Sequence, residues 1–162
     1  MGGTLGSLNY HLSGSTLTGD GYRDHSAYSA DNFWSKFKLT PNSRVKITAV
    51  LGWTNFFNQN PEGLNLTWFM DNPKIQRRRA NPDAYTYNEY QRTKRLTSGF
   101  NTHITLTESV EANFSLYYRR TNYTESVPSS IIHRTFHTPG LTGQLNFKSN
   151  LGNVISHLSL GL

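Results

Sequence analysis

Arg77, Arg78 and Arg79 stand in a row in "QRRRA", the densest run of charge in the chain. Guanidinium forks suit phosphate and carboxylate oxygens, so the run invites a nucleic-acid reading. Its surroundings argue otherwise. Lys74 and the three arginines share residues 57–91 with Glu62, Asp71, Asp83 and Glu89, the composition of a solvated loop. No nucleic acid is expected as a partner. A lipid-borne phosphate or an anionic ligand suits such a loop better, and Arg92, Lys94 and Arg95 just beyond it could serve likewise. A second candidate is "DGYRDHS", residues 20–26. Asp20-Gly21 is a turn signal, so Tyr22, Arg23 and His25 would crown a loop. There the tyrosine could stack on an anionic chelate and the arginine pair with it. Pairing of Arg23 with Asp24 inside the loop is the plainer alternative.

A third set is dispersed. Lys36, Lys38, Arg44, Lys46, Arg119 and Lys148 fall on one parity of short alternating segments, with Glu111 as the acid among them. A surface that collects cations on one face draws anionic solutes. The bland reading is that Lys38, Arg44, Lys46 and Lys148 lie near turns and are simply solvated. Catalytic chemistry finds no foothold. There is no cysteine, hence no disulfide, thiolate ligand or thiol nucleophile. His133 and His137 have helical ligand spacing but lie in strand-like sequence, with no carboxylate to complete a set. "SGS" at residues 13–15 sits in a strand rather than a strained elbow. No phosphate-cradling glycine loop occurs. We expect neither an enzyme nor a directly bound cofactor or metal.

The elements that carry these residues read as strands. Residues 43–57, "SRVKITAVLGWTNFF", alternate Val45, Ile47, Ala49, Leu51 and Trp53 with Arg44, Lys46, Thr48, Val50, Gly52 and Thr54, a period of two. The same pattern recurs over residues 7–18, 32–40, 92–106, 110–121, 138–148 and 153–162, which makes seven strands. Turns at residues 40–44, 107–109 and 149–153 are short. The connections 18–31, 56–91 and 121–137 are long. Short and long in alternation describe an up-and-down antiparallel meander with plain turns at one end and elaborated loops at the other. A connection of that length is unusual in a compact domain but ordinary between the strands of an outer-membrane barrel. The strands reach the length needed to cross a bilayer at a tilt. Trp53, Phe56, Phe57, Tyr117, Tyr118 and Phe147 cluster near strand ends, as interfacial aromatic girdles do. Composition agrees with β structure: 35% hydrophobic, 13% aromatic and 16% charged residues, with a formal net charge of +6 and a mean hydropathy of −0.59. No apolar run is long enough for a transmembrane helix, and the first residues lack the basic start and apolar stretch of a signal peptide.

The stretch "YHLSGSTLTGDGYRDHSAYSADNFWSKFKLTPNSRVKITAVLGWTNFFNQNPEGL", residues 10–64, resembles the early barrel of TonB-dependent outer-membrane receptors of the siderophore and iron-complex type. The features that carry this are the strand before "DGYRDHS", the descending and ascending strands around a short turn, and "NPEGL" opening a long loop. "RRRANPDAYTYNEYQRTKRLTSGF" is similar to that family's entry into the next hairpin. The resemblance implies a partial transmembrane β-barrel, residues 1–162 as one truncated domain lacking the family's plug, part of a receptor for ferric siderophore or similar iron chelate. The transported anionic chelate, outer-membrane lipid and lipopolysaccharide, the parent's plug domain and TonB would be the partners, the last two met outside this chain. Tyr22, Arg23, His25, Arg77, Arg78, Arg79 and Arg119 would touch the ligand. Lys36, Lys38, Arg44, Lys46 and Lys148 would line the lumen. Two rivals stay open: a small self-contained outer-membrane barrel with a structural or adhesive role, typically of eight strands, and a soluble β-sandwich binding module, which needs its apolar face covered by a second sheet.

Overall fold

The structure is a computed structural model that describes residues 1–76, 87–152 and 154–162. Its eight strands are β1 (Gly2–Leu5), β2 (Leu8–Gly19), β3 (Tyr28–Asn42), β4 (Val45–Gln59), β5 (Tyr90–Thr107), β6 (Val110–Val127), β7 (Ser130–Leu151) and β8 (Val154–Gly161). All pair antiparallel in chain order in one sheet. A short helix, α1 (Leu66–Asp71), interrupts the connection from β4 to β5. The seven expected strands are all present, and β1 is an eighth. Its Gly2 and Gly3 have low strand propensity, yet it pairs with β2 from Gly2↔His11 to Leu5↔Leu8.

One expected loop is not a loop. Residues 121–137 continue β6 and β7 as a long hairpin, closed at Pro128 and Ser129 between the paired Val127 and Ser130. Thr, Tyr, Val, Ile and Phe dominate this stretch and favour strand, but both faces are mixed, so no alternation marks it. The connections at one end are tight throughout: Gly6–Ser7, Ser43–Arg44, Glu108–Ser109 and the turn at Gly152. Gly6 and Gly152 take positive φ there (57° and 63°), which a glycine adopts without strain. At the other end stand the loop 20–27, the described stretches 60–76 and 87–89 between β4 and β5, and the Pro128–Ser129 turn.

Register sorts the side chains into two unlike faces. On one, rows run across the strands: Tyr10, Phe37, Ala49, Phe100, Leu116 and Leu141 form one; Leu8, Leu39, Ile47, Thr102 and Phe114 the next; Val45, Ile104, Ala112, Leu145 and Leu160 another. Phe33, Trp53 and Leu96 head this belt, and Phe147 with Leu158 closes it below. The ten-residue step from Leu96 to Leu106 is about 33 Å of strand. At a tilt of about 40° that becomes roughly 25 Å of height, the height of a barrel's lipid-facing band. Among the described residues nothing covers this face: Phe100, Leu116 and Leu141 are 41%, 50% and 51% exposed. The belt's hydroxyls fold back on the sheet, Ser35 Oγ donating to Leu51 O at 3.2 Å and Ser98 Oγ to Tyr118 O at 3.4 Å.

The opposite face is a polar ladder. Thr4 Oγ1 donates to Asn9 Oδ1 (2.8 Å), Asn101 Nδ2 to Ser115 Oγ (2.8 Å), Gln91 Nε2 to Glu125 Oε1 (3.0 Å) and Ser159 Oγ to Asn146 Oδ1 (2.8 Å), while His103 Nδ1 meets Asn113 Oδ1 at 2.9 Å. Its large rings lie flat over glycines on the neighbouring strand. A Cβ at Gly52 would stand 2.2 Å from Trp34 Cε3, and one at Gly140 2.0 Å from Tyr117 Cζ.

The accessible surface is 11,089 Å², against about 8,200 Å² for a compact chain of this mass. Among the described residues Ile75 is the one buried hydrophobic side chain on which a core could be centred. A sandwich core is therefore not what holds this sheet. The ring–glycine contacts are testable. Gly52→Ala should drive the Trp34 ring off the sheet, shift its fluorescence and destabilise the fold by about 1–3 kcal/mol. Denaturant titration of the detergent-folded chain, followed by tryptophan emission, measures both.

Candidate functional site

The structure gathers the candidate side chains into two clusters. The first caps the looped end. Loop 20–27 folds onto loop 60–89 through backbone bonds: Asp24 N–H to Lys74 O (2.7 Å), Gln59 N–H to Ala27 O (2.8 Å) and Asn60 N–H to Glu89 O (2.9 Å). Arg23 fastens the junction. Its Nε and one terminal nitrogen donate to Ile75 O at 3.1 and 2.9 Å, that nitrogen also reaches Pro61 O at 3.1 Å, and the other terminal nitrogen donates to Glu62 O. His25, at φ 57°, holds Glu89 O through Nε2 at 2.8 Å. Asn65 caps α1 by accepting from Trp68 N–H at 2.8 Å.

Beside this junction lies a cleft of about 530 Å³ lined by Tyr22, Arg23, Leu64, Leu66, Phe69 and Pro73, among others. Tyr22 is exposed, with Lys74 Nζ 5.7 Å from its ring centroid. Of the proposed ligand residues in this loop, Tyr22 thus presents a free stacking surface, and Arg23 has its donors turned to backbone carbonyls. Arg77, Arg78 and Arg79 lie outside the described residues.

The second cluster is on the polar face of the sheet. Lys36 and Lys38 stand with Asn9 and His11 around a hollow of about 280 Å³. Lys46 is paired across strands with His103. Lys148 lies near Glu108, Glu111 and His157. These lysines gather toward the tight-turn end. Arg44 is not on a strand: it sits in the Ser43–Arg44 turn, where Asn42 Oδ1 accepts from its backbone N–H at 2.9 Å.

Arg119 lies higher, opposite Thr97 and Thr138, and Arg95 is on its diagonal, opposite Thr121. Arg134, opposite Tyr123, shares this face, as do Trp34, Tyr117 and Phe136 by register. Glu125 joins Glu111 as an acid here. Arg134 and Glu125 fall in the hairpin that sequence reads as loop. Continuing the parity of residues 110–121 through the Pro-Ser turn would have placed them. Arginines beside aromatic rings suit a planar anionic ligand: the forks pair with its carboxylates or phenolates and the rings stack. No group of three or more His, Asp or Glu able to hold a metal occurs among the described residues.

With this geometry in view, the comparisons are informative about fold. The sequence matches no family model and no curated protein. Among solved structures it is similar to the ferric citrate transporter FecA in its unliganded form, with a TM-score of 0.85 and 17% identity over 99% of this chain. The chain spans 24% of the length of that transporter chain. The fold is therefore an open antiparallel meander with the shape of a segment of transporter-type barrel wall. At this identity the likeness speaks to fold alone.

Arg23 gives the site its test. Arg23→Ala removes several charge-assisted bonds to carbonyls and should cost the loop junction about 1.5–3 kcal/mol. Amide exchange at Asp24 and protease cleavage between residues 60 and 76 should both accelerate, with exchange in β6 and β7 unchanged.

Proposed function

We propose that this chain forms part of the wall of an outer-membrane β-barrel that takes up a ferric siderophore or a similar anionic iron chelate. The observation that carries the reading is the uncovered apolar belt, about 25 Å tall, backed by a hydrogen-bonded polar face. Lipid on one side and a wet lumen on the other would suit both faces of such a sheet. The likeness to a protein described as a ferric citrate transporter supports the choice of cargo. Arg95, Arg119 and Arg134 would attract the chelate along the lumen, and Tyr22 with the cleft beside it would meet it first. A plug domain and TonB would act on the whole receptor, from outside this chain. Lipid and lipopolysaccharide would surround the belt.

The eight-strand count admits a self-contained small barrel, but β1 pairs with β2 and β8 with β7, and the two are not paired with each other among the described residues. The open sheet favours a longer wall.

Two experiments test the proposal. Leu116→Arg, at mid-belt, should cost about 2–4 kcal/mol in the bilayer and depress folding into lipid vesicles, whereas Ser115→Arg on the opposite face should be tolerated. Equal folding of both variants would refute the membrane orientation. In cells, radiolabelled iron uptake by the gene product carrying Arg95→Gln, Arg119→Gln and Arg134→Gln should need about tenfold more chelate for half-maximal rate. Unchanged uptake would remove these arginines from the ligand's path.

A further inference from the structure

Three histidines of the polar face stand directly opposite a lysine on the neighbouring strand: His11 opposite Lys36, His103 opposite Lys46 and His157 opposite Lys148. Their surroundings differ. His103 Nδ1 meets Asn113 Oδ1 at 2.9 Å, with Glu111 on its diagonal. His157 and Lys148 share a hollow with Glu108 and Glu111. His11 meets lysines and no carboxylate. Lys36 is opposite it, and Lys38, opposite Asn9, is on its diagonal. On β1 it faces Gly2, with Thr4 beyond. Tyr10 lines the same hollow, and the Met1 ammonium is bonded close by to Leu12 O at 2.7 Å. By register no acidic side chain of β1 to β5 shares this face, since Asp31 lies on the belt side opposite Asn55. The first acid met across the strands is Glu111 on β6. It is three strands from β3, about 14 Å, which exceeds a Debye length at physiological salt.

We infer that Asn9, His11, Lys36 and Lys38, which line a hollow of about 280 Å³, form a binding site for a small, doubly charged oxyanion, taken up together with a proton on His11. The site needs only that this face be wet. It lies apart from Arg95, Arg119 and Arg134, so it stands independently of the chelate reading. Lys36 and Lys38 are two residues apart on β3, about 7 Å of strand. Lys46 stands on the diagonal from Lys38, about 7–8 Å off. All three lysines and His11 are exposed. Ammonium groups are compact point charges with donors that rotate. At this spacing two of them converge on one small anion, without the planar fork and ring face that the arginines higher up offer a larger ligand. The Asn9 amide, whose oxygen accepts from Thr4 Oγ1 at 2.8 Å, gives its N–H to the same anion. Gly2, opposite His11, puts no side chain between the imidazole and solvent. Imidazole changes charge between about pH 5 and 8. Without an anion, protonation sets a further cation directly opposite Lys36, an arrangement that like charges disfavour. An anion between them reverses the sign, and the imidazolium then donates from both ring nitrogens. Binding therefore draws a proton, and affinity rises as pH falls through the imidazole range.

The test follows the imidazole itself by NMR, in the gene product carrying this chain, with isotope-labelled histidine, in detergent micelles. The probe is sodium sulfate, whose charge is constant over this pH range, against sodium chloride at equal ionic strength. The His11 signal is the one lost in His11→Gln. Sulfate should raise its titration midpoint by about half a pH unit, equivalent to about threefold tighter binding to the protonated form. Lys36→Gln with Lys38→Gln should abolish the sulfate-dependent shift. Lys36→Arg with Lys38→Arg should keep it, which separates lost charge from lost folding. Lys148→Gln and Arg119→Gln should leave it unchanged. A midpoint that sulfate and chloride move alike, or a sulfate shift that survives the double glutamine variant, would overturn the inference. Neither result bears on iron uptake or on folding into lipid vesicles, so the reading of the whole chain is tested separately.

Discussion

Everything in this molecule follows from a sheet whose two faces want different solvents and which has no layer of its own to cover either. In a globular domain, burial of apolar area supplies most of the stabilisation. Here the apolar side chains of the belt are at most partly buried, with Phe100 still 41% and Leu116 50% exposed. Cohesion falls instead to the backbone ladder, unbroken from β1 to β8, and to cross-strand pairs worth a few tenths to about 1 kcal/mol each. Register becomes the critical variable, because a slip of one residue exchanges the faces completely. Tight turns fix it at one end, and the two irregularities in pairing, at Leu39/Asn42 and Thr105/Thr107, both sit beside those turns. They adjust the strand ends without disturbing the rows of the belt.

The two faces meet this constraint by different means. On the polar face, amides and hydroxyls bridge neighbouring strands, as in Asn101 with Ser115 and Gln91 with Glu125. Rings on that face are accommodated by glycine across the ladder, which lets Trp34 and Tyr117 lie down rather than project. On the belt, Ser35 and Ser98 turn their hydroxyls back to backbone carbonyls, which satisfies a polar group on an apolar surface. Free strand edges are the remaining cost. The N–H and C=O groups along the outer edges of β1 and β8 have no strand beyond them among the described residues, and such edges are places where another strand can pair.

How much of this was legible in the sequence depended on what each face contacts. Between Val45 and Trp53 every odd position is apolar while the even ones are mixed, Lys46 and Thr48 beside Val50 and Gly52, because one side is apolar throughout and the other need not be, and the strand could be read directly. Above the belt that demand lapses. Residues 121–137 remain strand through propensity and pairing, but with Asn122, Thr124, His133 and Thr135 on the outward face no period survives to reveal it. The loop junction was illegible for another reason. Arg23 looks like a ligand residue because its partners, the carbonyls of Pro61, Glu62 and Ile75, lie 38, 39 and 52 residues away and carry no side-chain signature. Register puts Lys36, Lys38, Lys46 and Lys148 on the polar parity that alternation suggests, while Arg44 stands off the strand in a turn capped by Asn42.

The basic dipeptides show the consequence of the pleat most clearly. Lys94-Arg95 and Arg119-Arg120 lie on adjacent strands near one height, with Lys94 opposite Asn122, Arg95 opposite Thr121, Arg119 opposite Thr97 and Arg120 opposite Leu96. Neighbours in a strand point to opposite faces, so each dipeptide sends one cation to either side. The wall is thus positive on both surfaces just above the aromatic row. Two like charges on a diagonal some 7–8 Å apart repel by only about 0.5 kcal/mol in water but by several times that in a poorly screened site. Arg95 and Arg119 on one face, and Lys94 and Arg120 on the other, would therefore each be relieved by a bound anion. The sheet thus carries a diagonal pair of cations on each of its faces at nearly the same height.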